Sequence, residues 1–219
     1  MLLAIYLFSI FTGVAIGWLR FNRLTTPYRL LTGLLTYTLI SEIISESVLK
    51  HLESPVYKNF NYTLYSFVFI SLISLFQYKT SADKRFKQII VTQYFIVVTY
   101  ILINSLYKGL YRFPSTQLIV LSFSLIILSL YRLSELAEKA TEVAITSIPD
   151  FYVSSAYLTF FLMSITMWVQ KNYFPDTSEG ATVFFDWFFN LVCYTSYFVL
   201  AYALHLNYKN NSKKANKFG

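Results

Sequence analysis

Charged residues are scarce in this chain, and the residues that usually build catalytic centres are scarcer still. Only 13% of the 219 residues are charged, and there are one cysteine and two histidines. The single Cys193 excludes an intrachain disulfide. No HExxH, GxSxG or phosphate-binding glycine loop occurs, and His51 and His205 are predicted on opposite sides of a membrane. The sequence therefore predicts neither an enzyme nor a cofactor.

Apolar residues are abundant instead. They make up 56% of the chain, an excess that a soluble domain of this size could not bury in one core. Seven apolar segments are each near the roughly 20 residues that a helix needs to cross a bilayer. These segments are residues 2–19, 30–49, 60–78, 89–107, 115–131, 151–169 and 183–206. We expect an all-α, polytopic transmembrane bundle with seven spans, formed by residues 1–208 in a lipid bilayer.

The basic residues predict the orientation of that bundle. All 18 Lys and Arg residues lie outside the seven segments. Five fall on one side of the alternating topology, namely Lys50, Lys58, Lys108, Arg112 and Lys171, and the other thirteen fall on the opposite side. The richer side is expected to be cytoplasmic, which places the N-terminus outside and the C-terminus inside. Residues 209–219 are expected to form a basic, disordered cytoplasmic tail.

One long connection, between the fifth and sixth segments, has a helical pattern. Apolar residues at about residues 132–146 follow one stripe, and Glu135, Glu138 and Glu142 lie elsewhere. The pattern predicts a cytoplasmic extension of the fifth span. Its acidic face, among otherwise basic loops, is a candidate surface for a partner protein.

Three acidic residues fall inside apolar segments, where ionisable groups are functional candidates. They are Glu42 and Glu46, which are four residues apart and share a helix face, and Asp186. Asn61, Tyr65 and Asn104 are predicted near the same outer side. We expect the six residues Glu42, Glu46, Asn61, Tyr65, Asn104 and Asp186 to line an acidic cup that binds a ligand from outside.

A simpler interpretation of the acids stays open. Glu46 would pair with Lys50 at the interface, Asp186 would meet water, and Glu42 would be protonated or bonded to a neighbouring hydroxyl. Metal binding is not expected, because His51 and two carboxylates are too few ligands.

Gly13 and Gly17 form a small-xxx-small pair in the first segment. Such a pair lets another helix approach closely, so we expect both glycines at a helix–helix contact within the chain.

Several protein classes are excluded or weakened. Basic residues in short loops favour phospholipid headgroups over nucleic acid. Microbial rhodopsins share the predicted topology, but no lysine in residues 183–206 could hold retinal. Small sugar transporters of similar length are alike in topology only, since no repeat relates the two halves of this chain.

The chain resembles the seven-span input modules of bacterial membrane sensor proteins, including those attached to histidine kinases. The resemblance is carried by Glu46 with Asn61 and Tyr65, by Pro149-Asp150-Phe151-Tyr152, and by Asn190 with Tyr194. It implies a sensor in a bacterial inner membrane. No effector domain follows in this sequence, so the output would pass to a separate protein.

The sequence is therefore compatible with three functions. The first is a stand-alone sensor or regulatory subunit that binds a ligand in the acidic cup. The second is a small-solute or ion transporter that uses Glu42 as its coupling carboxyl. The third is a structural or assembly subunit whose acids pair with bases on another chain.

Overall fold

The computed structural model describes residues 2–49, 55–108, 114–139, 144–173 and 179–218, nearly all of them helical. Seven α-helices follow in order, α1 (Leu2–Leu19), α2 (Thr26–Ile44), α3 (Pro55–Thr80), α4 (Lys84–Lys108), α5 (Ser115–Lys139), α6 (Pro149–Tyr173) and α7 (Glu179–Phe218). A π-helical turn, Ser45–Leu49, continues α2.

The helices confirm a multi-pass membrane protein. Of the helices that the structure describes, five are long and apolar enough to cross a bilayer, namely Val56–Thr80, Lys84–Tyr107, Ser115–Glu138, Pro149–Gln170 and Val183–Lys213. The described part of α1, Leu3–Leu19, is apolar but shorter. Helix α2 carries Glu42 and many hydroxyl residues, and it is not among the five.

Prolines mark where several helices begin. Pro27 lies in the first turn of α2, Pro55 and Pro149 are the first residues of α3 and α6, and Pro114 directly precedes α5. Proline is tolerated there because the first backbone N–H groups of a helix have no intrahelical partner.

The seven helices form a closed ring. Each helix packs against the next one along the chain, and α1 packs against α7 to complete the circle. Helices α3 and α5 also touch across the ring, whereas α4 packs on these two neighbours at the periphery. The odd-numbered helices begin, and the even-numbered helices end, at the same end of the bundle.

Close contact between α1 and α2 depends on two glycines. A Cβ built on Gly17 would lie 2.5 Å from Cγ2 and Oγ1 of Thr32. A Cβ on Gly13 would lie 3.0 Å from Cδ1 of Leu35. Both glycines therefore face α2, with no room for a side chain at Gly17.

Three boundaries differ from the sequence-based expectation. Helix α2 begins at Thr26 rather than residue 30, because Pro27 starts it early. Helix α5 continues to Lys139, but residues 145–147 form a 3-10 turn rather than more of that helix. The expected disordered tail is helical to Phe218, and it is held by Asn210 Nδ2 donating to the Ser147 carbonyl (3.0 Å) and Asn211 Nδ2 to the Arg23 carbonyl (2.8 Å).

Candidate functional site

A cavity of about 420 Å³ opens at the end of the bundle where α2 ends and α3 begins. We call it the Glu42 cavity. Its walls come from six of the seven helices, and they comprise Tyr6, Ser41, Glu42, Ser45, Glu46, Asn61, Tyr62, Tyr65, Phe69, Leu118, Leu121, Ser122, Phe160, Phe161, Ser164, Met167, Trp168, Phe189, Asn190, Cys193 and Tyr197.

Four of the six residues predicted for the cup line this cavity. Glu42, Glu46, Asn61 and Tyr65 meet there because α2 and α3 pack side by side with their polar faces turned inward. The spacing of four residues places both carboxylates on that face, and Glu46 lies in the π-helical turn that continues α2.

Glu42 is held by a hydroxyl from another helix. The Tyr6 hydroxyl on α1 donates to Glu42 Oε1 at 3.0 Å. This agrees with the simpler interpretation for Glu42, although the same carboxylate also lines open space. Lys58, near the start of α3, is a basic residue close enough for its charge to act on Glu42, but it is not part of the wall.

Polar bonds fix α2 against α3 beside the cavity. Asn61 Nδ2 donates to the Ser41 carbonyl at 3.3 Å and to Ser41 Oγ at 3.1 Å. The hydroxyls of Thr38 and Tyr65 lie 3.3 Å apart. Two of the predicted residues thus position the wall rather than only facing the cavity.

Aromatic rings form the rest of the wall. Phe69 packs edge-on against Phe161, with ring centroids 5.6 Å apart, and tilts against Tyr65 at 5.5 Å. Tyr6 meets Tyr197 edge-on at 5.8 Å. Such edge-to-face contacts hold the rings in defined positions, so the cavity has a fixed aromatic lining.

Asn104 and Asp186 do not line the Glu42 cavity. Asn104 is buried on α4, the peripheral helix, which contributes no residue to the wall. Asp186 on α7 is half-buried, and its carbonyl accepts a hydrogen bond from Asn190 Nδ2 at 2.7 Å. Asn190, one turn further along α7, lines the cavity instead. Their predicted place in the cup is wrong for this cavity, because depth along a helix does not determine which way a side chain faces.

Tyr6 is the main residue that sequence reasoning missed. It lies on the face of α1 that carries Ile10, Gly13 and Gly17, at spacings of four, three and four residues. That stripe faces the neighbouring helices, so continuing it from the glycine pair to the start of α1 would have found Tyr6.

A second polar group lies at the opposite end of the bundle. We call it the Arg132 cluster: Arg132 and Glu135 on α5, Asp150 on α6, Tyr28 on α2, and Ser81 just after α3. Arg132 Nη1 donates to Glu135 Oε2 at 2.5 Å, and Nη2 donates to Asp150 Oδ2 and to the Thr80 carbonyl. The hydroxyls of Tyr28 and Ser81 donate to Asp150 Oδ1 and Glu135 Oε2, respectively.

The Arg132 cluster corrects the expected acidic face. Glu135 is only 7% exposed and is ion-paired with Arg132, so it does not lie on a surface with Glu138. A buried arginine needs carboxylates beside it, and Glu135, three residues further along the helix, supplies one. Glu138 is exposed, and Glu142 lies outside the described residues.

A layer of buried apolar side chains separates the Glu42 cavity from the Arg132 cluster. Along each of α2, α3, α5 and α6 the order is cavity residues, then apolar residues, then residues of the cluster. The apolar layer includes Leu31, Leu34, Leu35, Ile70, Ile73, Leu125, Leu128 and Val153, each at most 2% exposed. We call it the middle layer; in this conformation it closes the bundle between its two polar ends.

The described residues offer no metal site. Within them, no group of three His, Cys, Asp or Glu side chains lies together. His205 contacts Arg20 at the end of the bundle away from the Glu42 cavity, and His51 lies outside the described residues.

No family model, curated protein or solved structure matched this chain in comparisons with known proteins.

Proposed function

We propose that this chain is a seven-span membrane sensor or regulatory subunit, with its N-terminus outside and its C-terminus in the cytoplasm. It binds a small ligand in the Glu42 cavity from the outer side, and it signals through its cytoplasmic end to a separate partner protein. The observation that carries the proposal is the cavity itself, which gathers Glu42, Glu46, Asn61 and Tyr65 at one end of the bundle.

The closed ring supports seven spans. Helices α1 and α2 are full members of it, since α1 packs on α2 and α7 and α2 packs on α1 and α3. The basic residues favour a cytoplasmic C-terminus, because most of them lie at the end of the bundle that contains the Arg132 cluster. Tags placed in residues 79–87 and after Lys209 should report cytoplasm, and tags in residues 50–59 and 170–182 should report outside. Two consecutive loops on the same side would refute the topology.

The middle layer supports sensing over passage of a solute. A transporter would have to open this packed layer during each cycle, whereas a sensor needs only to pass a shift of α2, α3, α5 or α6 to the Arg132 cluster. The cluster contains residues of α2, α5 and α6, and Ser81 just after α3. A movement of any of these helices therefore changes its hydrogen bonds or ion pairs.

An introduced cysteine provides a test of the cavity. Cys193 is buried, so it is replaced by serine, and Asn190, which lines the cavity and is half-buried, is changed to cysteine. A membrane-impermeant thiol reagent added to intact cells should modify this variant from outside. A matched control is Cys193→Ser combined with Val183→Cys, which places the thiol at an exposed position near the start of the same helix and outside the cavity wall. Labelling of the Asn190→Cys variant only in inverted vesicles, or from neither side, would contradict an outward-open cup.

The same labelled protein tests signalling. Attaching a small group to the thiol of the Asn190→Cys variant should change amide hydrogen exchange in residues 80–87 and 144–150, next to the Arg132 cluster, and labelling of the control variant should not. If exchange changes only around the cavity, the two ends are not coupled, and an assembly subunit becomes the better interpretation. If the labelled protein instead loses a proton-dependent solute flux in proteoliposomes, it is a transporter.

A further inference from the structure

We infer that the place where α1 ends beside α7 binds the phosphate group of an anionic phospholipid. The site, which we call the Arg20 patch, consists of Arg20 and Arg23 in the connection after α1, and of His205, Tyr208 and Lys209 on α7. It lies at the same end of the bundle as the Arg132 cluster. The inference goes beyond the proposed function, because it does not depend on the Glu42 cavity.

The side chains of the Arg20 patch are gathered by contacts between the two helices. The Arg20 guanidinium lies over the Tyr208 ring, with Cζ 4.5 Å from the ring centroid. Arg20 Nη1 also contacts His205 Nδ1, and Arg23 Nη1 lies 3.5 Å from the Tyr208 hydroxyl oxygen. The charge of Lys209 acts on His205 from the same helix. Two guanidinium groups and one ammonium group are therefore brought around one tyrosine and one histidine.

The positive charge of the patch has no acidic counterpart close by. Residues 1–41 and 187–219, from which the patch is built, contain three arginines and four lysines but no Asp or Glu. Within the part of the chain that the structure describes, no ion pair involves Arg20, Arg23 or Lys209. A guanidinium has only donors, so His205 Nδ1 accepts from Arg20 and the ring is a neutral partner rather than a counter-charge. An anion from outside the chain would balance these charges.

The backbone that carries the two arginines is held in place. Asn211 Nδ2 donates to the Arg23 carbonyl at 2.8 Å, and the Thr25 N–H donates to Asn207 Oδ1 at 3.2 Å. Arg29, in the first turn of α2, donates to three carbonyls of the same connection. An anion therefore meets donors that are already positioned, so little conformational entropy is lost when it binds.

Neighbouring apolar side chains favour a lipid as the source of that anion. Trp18 and Leu19 directly precede Arg20 and are 54% and 85% exposed. Trp18 stacks on Phe21, with ring centroids 4.8 Å apart. Tryptophan concentrates where headgroups meet acyl chains, and basic sites at helix ends recognise anionic headgroups. One phospholipid can thus place its phosphate at the arginines and an acyl chain against Trp18 and Leu19.

The arginines match a phosphate group better than other anionic partners at this depth. A guanidinium presents parallel N–H donors that fit two phosphate oxygens at once. A zwitterionic phospholipid carries its own ammonium group beside the phosphate, so it gains less from the patch than an anionic one. The inference therefore predicts selectivity for net negative charge among lipids that have the same acyl chains.

Fluorescence of Trp18 tests this selectivity. Trp168 and Trp187 are changed to Phe, which leaves Trp18 as the one tryptophan of the chain. The protein is placed in bilayers of phosphatidylcholine and phosphatidylglycerol, one of which carries bromine on its acyl chains to quench a nearby tryptophan. Phosphatidylglycerol should occupy the position beside Trp18 with at least about tenfold higher affinity than phosphatidylcholine. Equal affinity of the two lipids would overturn the inference.

Variants locate the lipid at the patch. Arg23→Gln combined with Lys209→Gln changes two exposed residues, so the fold should survive, and the preference should fall to about twofold or less. Arg20→Gln alone should lower it at least about threefold. Arg85→Gln is the matched control, an exposed arginine at the same end of the bundle on α4, and it should leave the preference unchanged. An equal loss in Arg85→Gln would mean attraction by general surface charge and would overturn the assigned site.

Glycerol 3-phosphate distinguishes a lipid from a soluble phosphate compound. It offers a phosphate without acyl chains, so at millimolar concentration it should not change the quenching of Trp18 by brominated phosphatidylglycerol. If it removes the preference for the anionic lipid, the patch takes a soluble phosphate compound, and the lipid assignment is wrong.

Discussion

The two polar ends of the bundle use the same carboxylate chemistry in opposite ways. At the Glu42 cavity, two glutamates line open space and one of them accepts a bond from a neutral tyrosine hydroxyl. In the Arg132 cluster, a glutamate and an aspartate are ion-paired with one guanidinium in a closed, packed environment. The carboxylates of the cluster are enclosed around their cation, whereas Glu42 and Glu46 border the open space of the cavity.

This difference separates the two ends by role: the Arg132 cluster stabilises the fold, and the Glu42 cavity is the candidate ligand site. A buried ion pair adds little net stability, but breaking it is costly because the remaining charges stay buried without a partner. A carboxylate beside an open cavity can reach water, so neutralising it costs little. We therefore expect mutations at the cluster to affect folding and mutations at the cavity to affect ligand response.

The largest effect is expected for Arg132→Met. Glu135 and Asp150 would remain buried without their cation, which should lower the free energy of unfolding by about 3–5 kcal/mol. Arg85→Met, which removes an exposed arginine at the same end of the bundle, is the matched control. Unfolding in mild detergent measures both variants. Similar stability of the two would show that the cluster does not hold the bundle together.

A smaller effect is expected where α1 and α2 touch. Gly17→Ala places a methyl group against Thr32, a fully buried residue, and should cost about 1–3 kcal/mol of stability. Gly33→Ala is the control, since nothing lies within 4 Å of its Cβ. That change should stabilise α2 by up to about 1 kcal/mol, because alanine favours the helix. Destabilisation by Gly33→Ala that equals the loss at Gly17 would contradict the close contact.

Glu42→Gln should change stability by less than about 1 kcal/mol, because the amide keeps the shape of the side chain and can still accept the Tyr6 hydroxyl. It should nevertheless abolish the response to ligand, since the charge is lost. Thermal unfolding measures the stability, and hydrogen exchange near the Arg132 cluster measures the response, with a thiol label on the Asn190→Cys, Cys193→Ser variant in place of the ligand. If Glu42→Leu is more stable than the wild type and still responds, the cavity is not the working site.

The smallest effect is expected at Asp83, which precedes α4 near the Arg132 cluster. The Arg85 backbone N–H and the Tyr131 hydroxyl donate to this carboxylate, each at 2.9 Å, and they hold the pKa of Asp83 below its ordinary value of 3.8. Its folded pKa is lowered, so its contribution to stability is present above the ordinary value and is lost as the pH falls through the folded pKa. Asp83→Asn should flatten the loss of stability on acidification, measured as the unfolding temperature at a series of acidic pH values. If the unfolding temperature of Asp83→Asn falls with pH as steeply as that of the wild type, other carboxylates dominate the loss of stability in acid.

The sequence predicted how far along its helix each cavity residue lies better than it predicted which way the side chain faces. Glu42 and Glu46 were placed on one face by their spacing, and Asn61 and Tyr65 at the same level by counting along the next segment; all four line the cavity. Asp186 was also at a suitable depth, but it is not among the residues that line the cavity. How far each helix rotates about its axis is set by packing against neighbours, and periodicity within one helix does not contain that information.

Glu135 shows the same limit at the other end. Its position outside the apolar stripe predicted exposure, and that prediction was wrong, because burial of Arg132 draws a carboxylate inward. This limits the variants that can test the predicted partner surface. Charge reversal at Glu135 would disrupt the fold, so Glu138→Lys alone is the variant with which to test a protein-binding surface on the extended end of α5.

The ring that α1 and α7 close also orders the steps of biogenesis. Tyr28 and Asp150, which bond within the Arg132 cluster, are 122 residues apart, so the five helices α1 to α5 are synthesised before α6 brings Asp150 to Tyr28. Arg132 and Glu135 arrive together on α5, which lets the guanidinium start with a partner from its own helix. Helix α1 waits longest for its second neighbour, because α7 is synthesised after α2 to α6. A ribosome that stalls before α7 therefore leaves the first helix with one side unpacked, a distinctive target for membrane quality control.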